Sequence, residues 1–412
     1  MTINTLPDET NAQITGCPYH ASKQQTNDYG AADGRSIYKD ANDVWHVHNY
    51  AVARTILRGS SVKQAGFQAE LIGETMSLGN DPMLYKEGPE HHALRKNTAR
   101  FFTPKAVKAY DEMIVNYVDE MLAHFKEVGR LDLSDLTMKL AVRVASKVVG
   151  MTNSDIEGMR QRTAVFFDMP VMSKEDYRTL KGIKQFLVGQ YHTFRLFWFD
   201  VRPAINARKQ ERQDDLISHL IDLEYKPLEI LTECLLFNAA GMVTTREFIS
   251  VAAYHMLKNE RLRNDYLAAE HKERHDILHE ILRLEPVVGK LHRRTTSPIE
   301  LEGADGEIIT IPNNALIELH IYDTNLDEEA VGNPSDIVCT HRDLSKRVQP
   351  FGMSFGDGYH RCPGAFIAIE ETDIFLTRFL TMPGLRIEQD PNITRNDLIE
   401  GYEIRDFVVA VD

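Results

Sequence analysis

Between residues 105 and 225 apolar positions recur at helical spacing, and the proline-free apolar pattern from Leu228 to Leu257 predicts one helix of about 30 residues. At 1.5 Å per residue that helix is roughly 45 Å long and crosses a whole domain. Shorter patterns flank this middle. Val44, His46 and Val47 around Trp45 predict a strand within Asn42–Asn49 that enters a helix over Tyr50–Leu57. Five glycines then break up Gly59–Pro89 into loop, before Gly88-Pro89-Glu90 opens another helix with Pro89 and Glu90 in its favoured first turn. Beyond the long helix, Leu291–Thr296 leads to Ile299–Leu301, Glu307–Ile311 and Ala315–Ile321, which read as short strands, with turns at Asp305-Gly306 and Asn313-Asn314. Pro363 suits the first turn of a helix over Ala365–Phe379, with apolar Phe366, Ile367, Ile369 and Ile374. Leu385–Glu388 and Phe407–Val411 are the last strands, flanking a tip at Leu398–Tyr402 that is a candidate substrate contact. The fold class is mainly α with a small β region.

Composition narrows the function. Hydrophobic residues make up 43% and charged residues 26%, enough for a large core and no signature of disorder. The 412 residues fit two average domains or one large one, and length alone does not choose between them; 1–30 reads as a flexible polar segment ahead of 31–412. A net charge of −14 argues against a nucleic-acid partner, which wants a basic face, and favours small molecules. Four cysteines without repeated spacing give no disulfide framework, so a reducing, cytoplasmic setting is expected. The first residues lack the pattern of a signal peptide, and no uncharged apolar run reaches the ~18 residues of a membrane span, so no anchor is expected.

Chemistry concentrates in Phe355-Gly356-Asp357-Gly358-Tyr359-His360-Arg361-Cys362-Pro363-Gly364. Gly356 and Gly358 permit a tight loop against a flat ligand, and Cys362 stands just before a helix whose amides are expected to lower its pKa and favour the metal-binding thiolate. Free cysteines are usually buried small hydrophobes, a reading that suffices for Cys17, Cys234 and Cys339. His91 and Arg95 share a helical face and could grip an anion, although a solvated basic face is the commoner fate of such a pair. Glu280 and Arg283 also share a face. The same spacing occurs at Glu127/Arg130, Glu157/Arg160, Glu175/Arg178 and Glu260/Arg263, so surface pairing is the default.

The spacing Phe-Gly-x-Gly-x-His-x-Cys-x-Gly, carried by Phe355, Gly356, Gly358, His360, Cys362 and Gly364, resembles the haem-ligand loop of the cytochrome P-450 family, and the likeness runs in order from Trp45 to Val411. The resemblance implies haem b with Cys362 on the iron, Phe355, Gly356 and Gly364 in the loop beside it, and His91, Arg95, Arg293 and His360 on the propionates, with Arg294 a substitute for Arg293. It makes the long helix the oxygen-binding one, with Gly241 as its small residue and Thr244 as its threonine, but Val243 stands where the family keeps an acid. It singles out Glu280/Arg283 as a buried pair, with Arg342 a third member. Tyr322-Asp323-Thr324-Asn325 departs from the family's Ala-Asn-Arg-Asp.

The resemblance also implies that Phe67, Leu71, Ile72, Met76 and Leu84 are candidates for the substrate wall, and that Phe166, Phe167, Tyr177, Phe186, Tyr191, Phe194, Phe197, Trp198 and Phe199 belong to a lid. The implied activity is a soluble bacterial-type monooxygenase, monomeric, acting on a small apolar or aromatic substrate. Electrons would come from a separate ferredoxin or flavodoxin near Lys96, Arg100, Lys346 and Arg361. Because of Val243, oxidative coupling and peroxide-driven oxidation stay open, and a haem sensor without turnover is a third reading.

Overall fold

A computed structural model describes residues 36–66, 82–168, 179–303, 306–332, 338–340, 342 and 344–412. Segment 1–30, Phe67, Leu71, Ile72, Met76, Glu175, Tyr177, Arg178, Asp305 and the side chain of Phe167 lie outside the described residues. The helices of seven residues or more are α1 (Tyr50–Arg58), α2 (Gly88–Thr98), α3 (Pro104–Val128), α4 (Leu133–Val149), α5 (Ile156–Asp168), α6 (Leu180–Leu196), α7 (Arg202–Gln210), α8 (Leu216–Asp222), α9 (Pro227–Lys258), α10 (Glu260–Ala268), α11 (His271–Leu284) and α12 (Ala365–Phe379). The strands are β1 (Ile37–Lys39), β2 (Trp45–Val47), β3 (Val62–Gln64), β4 (Arg130–Asp132), β5 (Lys290–Thr295), β6 (Ile299–Glu302), β7 (Ile308–Ile311), β8 (Leu316–His320), β9 (Arg386–Gln389), β10 (Asn392–Asn396), β11 (Gly401–Arg405) and β12 (Val408–Ala410).

Local chemistry sets the helix ends. Asn49 caps α1 by accepting the Val52 amide, and Thr103 caps α3 by accepting that of Ala106, with Pro104 in its first turn. Gly129, with φ of 70°, turns the chain sharply out of α3 into β4. Pro227 opens α9, and the Glu229 carboxylate accepts the Lys226 amide at 2.7 Å. The predicted 30-residue helix is found with 32 residues.

Helix α9 is the axis of the core. It packs on α4, α11 and α12, and Phe248, Ile249, Val251, Ala252 and Met256 are all buried around it. A helix apolar on every side is stable only when enclosed. By length and composition α9 would also suit a membrane, but more than half of its most apolar stretch lies inside the protein.

The main sheet has the order β1-β2-β8-β5-β3, with β2 parallel to β8 and the other neighbours antiparallel. Smaller sheets join β6 to β7, β10 to β11, and β4-β12-β9. Strands β10 and β11 were not foreseen, because the region between the last two strands was read as a simple tip. At that tip Tyr402 is turned inward, fully buried, with its hydroxyl donating to the Glu285 carbonyl at 3.2 Å. It braces the core and is not a substrate contact.

Candidate functional site

The segment 351–364 folds back on itself through short backbone bonds: Gly356 N–H to the Met353 carbonyl at 2.8 Å, and Cys362 N–H to the Phe355 carbonyl at 2.8 Å. Gly358 has φ of 68°, and a Cβ there would stand 2.2 Å from the Leu57 carbonyl oxygen, so only glycine lets the loop meet α1. Asp357 fastens the same contact. It accepts from Arg54 Nε at 3.1 Å and from Arg58 Nε and Nη2 at 2.8 and 2.9 Å. Gly364 caps α12, and nothing at its Cβ position excludes a larger side chain.

Cys362 stands half-buried at the mouth of α12. Burial pushes its thiol above the ordinary value, and the Gly364 amide, Arg95 and Arg361 pull it only part of the way back. This corrects the expectation that helix amides would leave a thiolate by themselves: desolvation wins, and a cation on the sulfur is what would favour the anion.

Across from α12, α9 presents an accessible strip in its middle. Ala240 is exposed, and Gly241 and Thr244 are half-buried, whereas Asn238, Met242 and Val243 are buried on the other sides. The Thr244 hydroxyl donates to the Ala240 carbonyl at 2.6 Å. A Cβ at Gly241 would lie 3.6 Å from that of Ala145, an ordinary contact, so packing against α4 does not by itself require glycine there.

The four residues predicted to bind carboxylates converge. His91 is buried, its ring 4.3 Å from that of His360, and burial pushes it down to about 4. His360 Nε2 lies 3.0 Å from Glu87 Oε2. Arg95 donates to the Arg361 carbonyl at 2.5 Å. Arg293 is buried, donates to the His292 carbonyl at 2.8 Å and to the Gln64 side chain, and has no ion pair among the described residues. Burial pulls it down to about 10, with Glu87 opposing. A buried guanidinium without a bound carboxylate is costly unless a ligand supplies one. Glu87 and Gln64 were missed by the sequence reading. The only hint was an acid just ahead of the Gly88-Pro89 helix start.

Glu280 and Arg283 are buried as expected, and Arg342 joins them, its Nε 2.7 Å from Glu280 Oε2. The other Glu-x-x-Arg pairs that the structure describes are exposed or unformed: Arg130 pairs with Glu388 in place of Glu127. Of the aromatic cluster, Tyr191, Phe194, Trp198 and Phe199 face solvent, while Phe166 and Phe197 pack against the core. Lys96, Arg100 and Lys346 are exposed, and Arg361 is half-buried with its guanidinium over the Phe351 ring at 5.4 Å.

These residues fit a haem on three counts: a thiol whose anion needs a cation, an accessible strip of small residues on the helix that packs against the thiol's own, and a buried arginine with no carboxylate. Residues 274–396 match the family model described as "Cytochrome P450". Among curated proteins the chain is similar to the biotin biosynthesis cytochrome P450 of Bacillus subtilis (strain 168), at 25% identity over 357 residues, covering 83% of this chain and 84% of that one. It is also similar to the erythromycin C-12 hydroxylase of Saccharopolyspora erythraea, at 25% identity over 373 residues and 87% of each chain. Among solved structures, P450BioI in complex with an acyl carrier protein ligated to hexadec-9Z-enoic acid superposes with a TM-score of 0.72 at 22% identity, covering 92% of this chain and 95% of that one.

Proposed function

We propose that this chain, which belongs to the cytochrome P450 family, is a haem-thiolate monooxygenase that oxidises a small apolar or aromatic molecule with O2 and electrons from a separate ferredoxin or flavodoxin. The observation that carries the reading is Cys362, held on a glycine loop at the mouth of α12 and faced by the helix whose accessible strip runs through Ala240, Gly241 and Thr244. In this reading Cys362 holds the iron, Phe355, Gly356 and Gly364 border the ring, and His91, Arg95, Arg293 and His360 hold the propionates. When bound, the haem supplies oxygen activation, which thiolate ligation favours by pushing electron density toward O–O cleavage. The cytoplasmic, monomeric state and the one-domain reading of 31–412 belong to the same proposal.

The chain's own residues do the rest. Glu280, Arg283 and Arg342 brace the loop behind Cys362. Thr244 keeps its hydroxyl oxygen free to accept, because its hydrogen goes to the Ala240 carbonyl. Exposed Lys96, Arg100 and Lys346 offer an acidic electron donor a basic face whose pull is screened by salt. The relatives' names span biotin biosynthesis and erythromycin hydroxylation, so the family does not fix the substrate.

Val243 favours a second reading, oxidative coupling or peroxide-driven oxidation. It is 1% exposed and cannot bind or pass a proton where the family's acid would. The test is turnover under 18O2 with a surrogate ferredoxin and reductase, across a panel of apolar and aromatic compounds. Products carrying 18O support monooxygenation; coupled products without it, or turnover with peroxide alone, support the second reading. No product from either oxidant would leave only a haem sensor. Val243→Asp is expected to raise the share of consumed reductant recovered in product, and unchanged coupling in folded variant would remove the ground for the second reading.

A further inference from the structure

The outer face of the main sheet gathers imidazoles that the proposed activity does not use. Side chains alternate along a strand, so the register that pairs Tyr38 with His46, His46 with Glu318, Glu318 with His292 and Lys290 with His320 sets all of them on one face. Val47, Ile317 and Leu319 fill the opposite face, where Arg293 is also buried. We propose that His46, Glu318 and His320 form a binding site for a late first-row divalent cation such as Zn2+, with two imidazole ligands and one carboxylate.

The three donor atoms already form a nearly equilateral triangle. His46 Nδ1 is 2.9 Å from His320 Nε2, Glu318 Oε1 is 3.2 Å from His46 Nδ1, and it is 3.1 Å from His320 Nε2. A tetrahedral zinc with bonds of about 2.0–2.1 Å holds its ligands about 3.3 Å apart, so the triangle needs to open only by tenths of an ångström. The tautomer that ligation needs also has a partner. His46 Nε2 faces Asp40 Oδ2 at 3.5 Å, and Asp40 is fixed by the Asn42 and Val44 amides at 2.9 and 2.8 Å. A proton on Nε2 leaves the Nδ1 lone pair for the triangle, the carboxylate–histidine–metal pattern. His320 is stacked on His48 at 4.0 Å between centroids, and His48 Nδ1 meets Asp323 Oδ2 at 2.6 Å. The ligand side chains are 10–14% exposed, which leaves a path for an ion and for water as fourth ligand.

One group competes. The Lys290 ammonium reaches the same Glu318 oxygen, and it also lies 3.6 Å from Glu400 Oε2. Glu400 can therefore take over the lysine when an ion occupies Glu318 Oε1, while His292 Nε2 keeps Glu318 Oε2 at 3.3 Å and Glu400 Oε1 at 3.2 Å. Two imidazoles select zinc, nickel or copper over the hard, oxygen-seeking magnesium and calcium. A bound ion would tie β2 to β8 across 274 residues of sequence and stiffen the sheet that presents Arg293 on its other face.

The test titrates ZnCl2 into the full-length, chelator-treated protein against a chromophoric chelator, with thermal unfolding alongside. The expected result is one equivalent of zinc and a Tm that rises with zinc concentration by mass action. His46→Ala and His320→Gln should each weaken binding by at least about tenfold. Lys290→Gln should strengthen it, and His271→Ala, in a separate histidine cluster on α11, should leave it unchanged. Zinc K-edge absorption should report two imidazole nitrogens and an oxygen. The proposal is overturned by an absence of zinc-dependent stabilisation, by wild-type zinc affinity in both histidine variants with unchanged far-ultraviolet circular dichroism, or by zinc lost in Cys362→Ser and kept in His46→Ala. None of these readouts depends on turnover or on haem.

Discussion

Glu280→Gln removes one negative charge from under two cations. The Glu280 carboxylate accepts from Arg283 Nε and Nη2 at 2.8 and 3.1 Å, from Arg342 Nε at 2.7 Å and from the Cys339 amide at 2.9 Å. Arg283, fully buried, also donates to the Asn325 carbonyl at 2.8 Å. The Asn325 side chain carries the network into the cysteine loop through Ser354 Oγ at 2.8 Å and the Met353 amide at 2.6 Å. Removing one partner of a buried pair typically costs about 3–5 kcal/mol. With an unfolding entropy of about 2.1 cal/mol/K per residue, a chain of 412 residues shifts by roughly 1.2 °C per kcal/mol, so Tm should fall by about 4–6 °C. The control is Glu157→Gln, at the same spacing from Arg160 but with Glu157 45% exposed. An exposed pair is worth about 0–1 kcal/mol, so that variant should move by about 1 °C or less. Thermal melts of both variants decide it. Two melting points within about 1 °C of each other would refute the claim that burial separates this pair from its look-alikes.

Glu371 on α12 is fully buried with one carboxylate oxygen unbonded among the described residues, and burial pushes it up to about 8. Its folded value lies above the unfolded one, so it favours the unfolded chain increasingly as pH rises from 4.5 toward 8. The stability gap between Glu371→Gln and wild type should therefore shift in favour of the variant by about 2.5 kcal/mol between pH 5 and 7 in urea titrations, and parallel curves would contradict this. His91→Ala combined with Arg293→Ala should speed haem transfer to apomyoglobin at least about tenfold for each charge-assisted bond lost, and an unchanged rate would show that these residues do not hold the propionates.

The site was legible where chemistry is local. The cysteine loop, the helix start at Pro89 and the proline-free α9 each carry their signal in a few adjacent residues, and all three are found where they were predicted. Partner choice across the chain was not legible. Helix α12 shows why: Phe366, read as part of its apolar face, is 49% exposed, whereas Glu370, Glu371 and Asp373 are buried. Asp373 is tolerated there because Arg274 reaches it at 2.7 and 2.9 Å and the Tyr266 hydroxyl at 2.5 Å, partners far off in sequence. The same limit hid the histidine cluster. Its residues meet only through the parallel pairing of β2 with β8, which no local pattern announces. Hairpin β10–β11 was missed because its strands are mixed, with Thr394 and Arg395 exposed beside inward Tyr402 and Ile404.

The most direct test of the central claim is the absorption spectrum of the ferrous carbon monoxide complex in wild type and in Cys362→Ala, with Cys234→Ala and Cys339→Ala as controls. Thiolate ligation by Cys362 predicts the red-shifted band in wild type and in both controls, and its loss in Cys362→Ala alone. The same band persisting in Cys362→Ala would contradict the assignment of Cys362 as the iron ligand, and with it the proposed chemistry.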